Sequence, residues 1–403
     1  MTHSICFWLL VLKINHKNLI TGFLNYYVET KLQSLISFRI DIVIIFTIQY
    51  LKVKRKFILP LFLLIQIILL KIISYFPEFI EHYYSNGLYL YIAKFFRIVF
   101  GFFPFSIGDI LYFSILLFFL FWLIKNRKTT WQNKILSALS FVSILYFFFQ
   151  FLWGLNYLRL PLSDKLNLKT EYSKQDLYDF TDKLIVKTNA VQIEITKDKN
   201  RKIETKFSQD SIFKTAVNGF SELSKTYPYL KYENPSQKKS LFSLPLTYMG
   251  FGGYLNPFTN EAQVNYKVPM YGFPAIVSHE MSHQLGYGSE SECNFIGFLA
   301  CVNNDDLYFQ YAAYSNALRY CLGIIALEDE KKFELYKEKI NPGILKNYAQ
   351  SEVFWQQYDS FIDKTFHAIY DQYLKANQQE EGIESYSKFI DLLINYYRNS
   401  NEL

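Results

Sequence analysis

The chain has 403 residues, a formal net charge of +6, 51% hydrophobic residues and only 19% charged ones. An ordinary soluble domain carries about 25% charged residues, and 39 Phe with 33 Tyr exceed what a soluble core needs. This balance excludes intrinsic disorder, a collagen-like chain and a disulfide scaffold, and the scattered Lys and Arg argue against a nucleic-acid partner. A membrane protein with a soluble part attached is expected.

Residues 1–52 read as an N-terminal extension. Their apolar stretches, 5–12 and 40–51, are short or interrupted by Asp41, and neither looks like a signal peptide. The natural start is expected near Val53, where KVKRKF precedes a long apolar run. Residues 53–155 read as a membrane domain with three transmembrane helices, at 57–76, 107–124 and 135–153. Lys71 lies near an end of the first and Asp109 near an end of the second, while the third has no charge. Lys52, Lys54, Arg55 and Lys56 precede the first span, and Lys125, Arg127, Lys128 and Lys134 fill the loop between the second and third. These clusters belong in the cytoplasm, so the chain after Trp153 emerges outside. The apolar stretch 88–103 carries Lys94 and Arg97 and ends at Pro104. It reads as an interfacial helix on the outer face, with a fourth span as the competing view.

Residues 156–403 are an ordinary mixed sequence, read as a mostly helical (α+β) domain with a small sheet. Helical spacing covers 173–188 and 209–225, and residues 191–206 alternate as a charged hairpin would. Residues 244–266 read as strands and turns, with AQVNY at 262–266 as an edge strand able to pair with an extended peptide. After Phe273 nearly everything reads as helix, broken at 286–288, 303–306, 341–343 and 380–382. The four Cys imply no disulfide framework, since Cys293 and Cys301 lie eight apart on one helix.

The chemistry concentrates in FPAIVSHEMSHQLGYGSESECNFIGFLACVN, residues 273–303. His279 and His283, at i and i+4 on a helix, point the same way and suit one Zn²⁺. Glu280 then lies beside the metal, placed to take a proton from a water. A catalytic zinc needs a third protein ligand, and the sequence offers Glu290 and Glu292. Ser289 and Glu292 match a capping box, which occupies Glu292 and favours Glu290. Glu290, Cys293, Asn294, Gly297 and Cys301 share one helical face, mostly of small residues, that suits close packing on the His-bearing helix. Asn294 is placed to hold a ligand His by its second nitrogen. Tyr311, Tyr314, Arg319 and Tyr320 are candidate donors to transition-state charge. His367 reads as a satisfied helix His.

HEMSHQ followed by ESECNF resembles the gluzincin metallopeptidases, whose third ligand is a Glu in an ExxA(D/N) pattern. Glu290–Asn294 fits that pattern with Cys293 in place of the usual Ala, across a shorter gap than most such enzymes have. More broadly, the chain resembles the domain of unknown function 3810 family of bacterial membrane proteins. The stretches that carry this likeness are PFSIGDILY (104–112), LWGLNY (152–157), GYLNPFTNEAQVN (253–265), HEMSHQLGYGSESECNFIGFLAC (279–301) and YLKANQQEEGIESYS (373–387). The resemblance implies three N-terminal spans and a zincin-like domain, but no substrate.

The expectation is a multi-pass cell-membrane protein whose extracytoplasmic zincin-like domain hydrolyses peptide bonds. Zn²⁺ would be held by His279, His283 and Glu290, with Glu280 as the base. Its partners would be the lipid bilayer and a peptide or protein substrate. The rival readings are a non-catalytic zinc-binding membrane protein and a zinc amidase acting on cell-wall peptides.

Overall fold

The computed structural model describes residues 55–398 apart from 170, 206 and 378–385. The proposed start near Val53, the extension 1–52 and the break at 380–382 lie outside the described residues. Phe62–Leu403 forms one compact unit.

Three helices among the described residues are long and apolar enough to cross a membrane. After a 3₁₀ turn at Arg55–Phe57 comes α1 (Ile58–Ile73), close to the expected first span. The second and third expected spans match α3 (Ile107–Lys125) and α4 (Trp131–Leu152). Their surfaces are open, with Phe113, Leu116, Phe118 and Phe148 among many exposed apolar side chains. Only a few polar groups are buried along them. Gln66 of α1 donates to Ser143 Oγ of α4 at 3.1 Å, so neither amide nor hydroxyl is left unpaired in apolar surroundings.

Between α1 and α3 runs a π-helical segment (Ile80–Leu88) that continues as α2 (Tyr89–Gly101). The stretch expected to lie at an interface has one face docked on the mixed domain. Arg97 lies over the Tyr232 ring, Lys94 pairs with Glu233 at 3.7 Å, and Tyr89 donates to the Gln284 carbonyl. Its other face leaves Phe95, Ile98 and Phe102 exposed.

The mixed domain opens with α5 (Lys174–Thr196), started by a capping box between Ser173 and Asp176, and α6 (Gln209–Thr226). The charged hairpin expected at 191–206 does not form. Residues 191–196 continue α5 instead, with Val191 and Gln192 buried and Ile193 exposed, so the alternating apolar residues do not share one face. The helix ends at Lys197, whose left-handed backbone returns its N–H to the Ile193 carbonyl.

Next come β1 (Gln237–Lys239), the short α7 (Ser243–Tyr248), β2 (Gly253–Asn256) and β3 (Glu261–Val264). Residues 244–248, expected to be strand or turn, are therefore helical. The sheet order is β1-β3-β2: β3 runs parallel to β1, with Gln237 opposite Ala262, and antiparallel to β2, with Gly253 opposite Val264. The expected edge strand is thus the central one, buried at all four residues, and cannot accept a further chain. The two edge strands are β1 and β2.

Among the described residues seven helices follow: α8 (Phe273–Gln284), α9 (Glu290–Val302), α10 (Leu307–Glu328), α11 (Glu330–Lys339), α12 (Pro342–Gln356), α13 (Phe361–Ala376) and α14 (Tyr386–Tyr397). The core gathers between them, with Phe220, Phe273, Phe295, Phe309 and Phe389 fully buried. This core wraps α8 and α9 on most sides, holding the chemistry-bearing pair rigid.

Candidate metal centre

Helix α8 starts with Pro274 in its first turn, where a missing N–H costs nothing, and buries nine of its residues. Its i, i+4 spacing brings the His279 and His283 rings to 4.8 Å between centroids. The chain then reverses through Leu285–Ser289. Gly286 has φ +84, a conformation that strains any side chain, and a Cβ there would meet Tyr89 and Asn156. Arg159 anchors the reversal by donating to the Gly286 carbonyl at 2.7 Å.

The reversal lays α9 against α8. At Gly297 the helices come so close that a Cβ would stand 2.9 Å from the His279 backbone nitrogen. Cys301 Sγ meets Ser278 Oγ at 3.2 Å, and Cys293 Sγ meets His283 Nδ1 at the same distance. All three Cys among the described residues are free and buried. This small-residue face lets the first turn of α9 reach the histidines.

Glu290 is the residue it delivers. Oε2 lies 3.1 Å from His279 Nε2 and Oε1 lies 3.6 Å from His283 Nε2, and ligand atoms of all three lie within 4.8 Å of one another. Ligands about 2.0–2.1 Å from a tetrahedral ion stand about 3.3 Å apart, so this trio has the spacing to hold one. Each imidazole presents Nε2 because Nδ1 is engaged elsewhere: that of His279 with Asn294 Oδ1 at 2.9 Å, that of His283 with the Tyr287 carbonyl at 2.8 Å. Burial opposes charge on Glu290, yet the facing imidazoles hold its carboxyl well below the usual range. Burial likewise opposes protonation of His283, but Cys293 and Glu290 outweigh it and raise its pKa.

Glu292 does not join this group. It points the other way, accepts from the Leu162 backbone N–H at 2.5 Å, and sits near Arg159 and Lys165. The expected capping box is absent as well. Ser289 is the N-cap but its hydroxyl bonds Ser291 at 2.8 Å, and Leu162 holds the Glu292 carboxylate that the box would need.

Glu280 is buried on the same helix turn. Its Oε2 has no hydrogen-bond partner, and burial pushes its pKa up to about 7. Gly253 of β2 packs against it, leaving no room for a side chain.

The trio and Glu280 line a cavity of about 810 Å³. Arg319 and Tyr320 also line it, but Tyr311 and Tyr314 do not. Tyr311 is fully buried and donates to Asn347 at 2.9 Å, and Tyr314 packs edge-on to Phe298 in the core. Both lie on the core side of α10, so they are packing residues. His367 lines the cavity with its Nε2 3.0 Å from Asp363, a partner on its own helix.

The residue that sequence reasoning missed is Tyr370, whose hydroxyl donates to Glu290 Oε1 at 2.6 Å. The signal was present: His367, Tyr370 and Leu374 recur at helical spacing on α13, and all three line the cavity.

Described residues from the stretches behind the family resemblance meet around this centre. Trp153 donates its indole N–H to the His283 carbonyl at 3.2 Å. Glu261 of β3 accepts from the Ile107 and Gly108 backbone N–H groups at 3.1 and 2.5 Å, capping α3 with a carboxylate where the helix dipole favours one. Asp109 accepts from Ser240 Oγ at 3.0 Å and from the Tyr254 hydroxyl. The second apolar helix is therefore tied at its first turn to the sheet that flanks Glu280.

The family described as "Protein of unknown function (DUF3810)" matches residues 84–394. The chain belongs to this family. No curated protein and no solved structure matches it. The matched span takes in α3, α4 and the whole of the site, including Tyr370.

Proposed function

We propose that the chain is a multi-pass membrane zinc metallopeptidase, with a zincin-like domain on the extracytoplasmic side. The observation that carries the reading is the meeting of His279, His283 and Glu290 in a cavity with a buried carboxylate, Glu280, whose Oε2 has no partner. Two neutral imidazoles and a carboxylate are the donor set of gluzincin-type sites, and their spacing fits one ion. When bound, zinc would supply Lewis acidity at a carbonyl and an acidified water.

The chain's own residues supply the rest. Glu280 takes the proton of the attacking water and passes it to the leaving amine, which suits a pKa raised to about 7 by burial. Asn294 and the Tyr287 carbonyl keep both histidines in the tautomer with Nε2 free. Tyr370, within hydrogen-bond reach of Glu290, orients that carboxylate. The free edge of β2 beside Glu280, not β3, offers backbone groups to an extended peptide. A purely structural zinc site has no use for the unpartnered carboxylate, which disfavours the non-catalytic reading. The peptide-pairing edge favours peptides over other amides.

The orientation rests on charge. Lys125, Arg127 and Lys128 lie at the end of α3–α4 remote from Ser106 and Trp153, which adjoin the site. Basic loops stay in the cytoplasm, which puts the cavity outside.

The test is zinc content with casein-type proteolysis for the full-length wild type, Glu280→Gln and His283→Ala. About one zinc per chain is expected in the wild type and in Glu280→Gln, with activity only in the former and neither property in His283→Ala. A wild type that binds no zinc refutes the reading.

A further inference from the structure

We propose that the site draws its substrate from the bilayer: a polypeptide cut within a few residues of its own apolar membrane anchor. This rests on the membrane and peptidase readings above and names their substrate class.

The cavity is not confined to the mixed domain. One wall is a stripe on α4, Val142, Leu145, Tyr146 and Phe149, which recur at i, i+3, i+4 and i+7 and so form a single helix face. Val142 lies ten residues before the helix end at Leu152, which is about 15 Å at 1.5 Å per residue. That depth is about half of a 30 Å hydrocarbon core. Tyr112 of α3 contributes from the second apolar helix and stacks on Tyr254 of β2 at 6.1 Å. One continuous surface thus leads from lipid depth on α4 to Glu280 and the β2 edge.

The opposite wall agrees. Helix α13 turns Tyr370 and His367 into the cavity, and its other face presents Phe361, Ile362, Phe366 and Ile369 outward, with Phe361 83% exposed. A helix facing bulk water gains nothing from such a face, whereas one lying on a bilayer surface buries it. Its inner side meets α4 through Tyr373 and Phe149, whose ring centroids are 6.4 Å apart.

A water-soluble peptide has no use for an apolar wall about 15 Å long inside a membrane helix. A peptide with an anchor does: its apolar residues fill the α4 stripe while the adjoining extended backbone reaches β2. The β2 edge favours a polypeptide over a lipid as occupant, because only a polypeptide backbone pairs with a strand.

The test uses the full-length Glu280→Gln protein in liposomes, with a photo-reactive amino acid at Leu145, or at Phe121 as a lipid-facing control. The probes are one fixed soluble peptide sequence and the same sequence followed by a 20-residue Leu/Ala helix. Capture of the anchored peptide at position 145 is expected to exceed capture of the unanchored one at least tenfold, and capture at position 121 by a similar factor. Tyr146→Trp, which narrows the groove, should lower that capture at least fivefold, and a photo-reactive group at Phe149 should repeat the pattern. Equal capture of both peptides, equal capture at 145 and 121, or crosslinks to bilayer lipid alone would overturn the proposal. Cleavage of the same probes by protein with Glu280 intact separates the two readings. Capture at 145 without cutting supports the bilayer-fed groove and refutes the peptidase; cutting of both peptides without selective capture does the reverse.

Discussion

Removing the side chain that orients His279 probes the metal centre directly. His283 is held by a backbone carbonyl, which mutation cannot delete, but His279 is held by Asn294 Oδ1 at 2.9 Å. In Asn294→Ala the Nδ1–H loses its acceptor and the ring is free to turn. A neutral hydrogen bond contributes about 1 kcal/mol, and a buried donor left unpaired costs about 1–3 kcal/mol. Outer partners of ligating histidines are worth about 10–100-fold in metal affinity, or about 1.4–2.7 kcal/mol. The His279 side chain is 15% exposed, so water can replace part of the lost bond, which sets the expectation near tenfold. The assay is competition for zinc against a chromophoric chelator with the full-length protein at neutral pH. Asn294→Asp keeps an acceptor and adds a charge, and should bind at least as tightly as wild type. An Ala variant within twofold of wild type, or an Asp variant weaker than Ala, would refute the assigned orientation.

Tyr370→Phe deletes a hydrogen bond to a carboxylate, worth about 1.5–3 kcal/mol, so turnover should fall roughly 10–100-fold while zinc content holds; unchanged turnover would remove Tyr370 from the site. Gly297→Ala puts a methyl 2.9 Å from the His279 nitrogen and should cost about 1–3 kcal/mol, read as a lower thermal midpoint in detergent. Burial alone drives the Glu81 carboxyl up, but Arg159, at 2.9 Å, and Lys165 outweigh it and hold it below its ordinary 4.5. A depressed carboxyl contributes stability that is present above 4.5 and lost as pH falls through the folded value. The inactivation half-life should therefore shorten below about pH 4.5 in the wild type. Glu81→Gln should start lower at neutral pH and show a flatter acid limb, and parallel limbs would contradict the assignment.

What could be read from the sequence alone was local. An 18-residue apolar run declares a possible membrane helix because its hydrogen bonds close within the segment, and α1, α3 and α4 fall where the runs do. His279 and His283 could be paired on paper because i and i+4 share a helix face whatever the rest of the chain does. The tight face of α9 was legible for the same reason, through Gly297 and Cys301. Period-2 and period-3.6 patterns coincide over a few residues, however, and so residues 191–196 could be told from a strand only where they continue α5.

Everything that joined distant segments was decided by the tertiary structure. The sequence favoured Glu290 over Glu292 through a capping box that does not form; what takes Glu292 away is Leu162, 130 residues earlier, whose N–H holds its carboxylate. Tyr370 reaches Glu290 across 80 residues, and Tyr311 is excluded because Asn347 claims its hydroxyl in the core. Strand order likewise follows from partners: AQVNY alternates like an edge strand, but β1 and β2 occupy both its sides. The physical reason is common to all of these. A helix or span is specified by contacts within a few residues, whereas a site is specified by which remote donor satisfies each buried carboxylate.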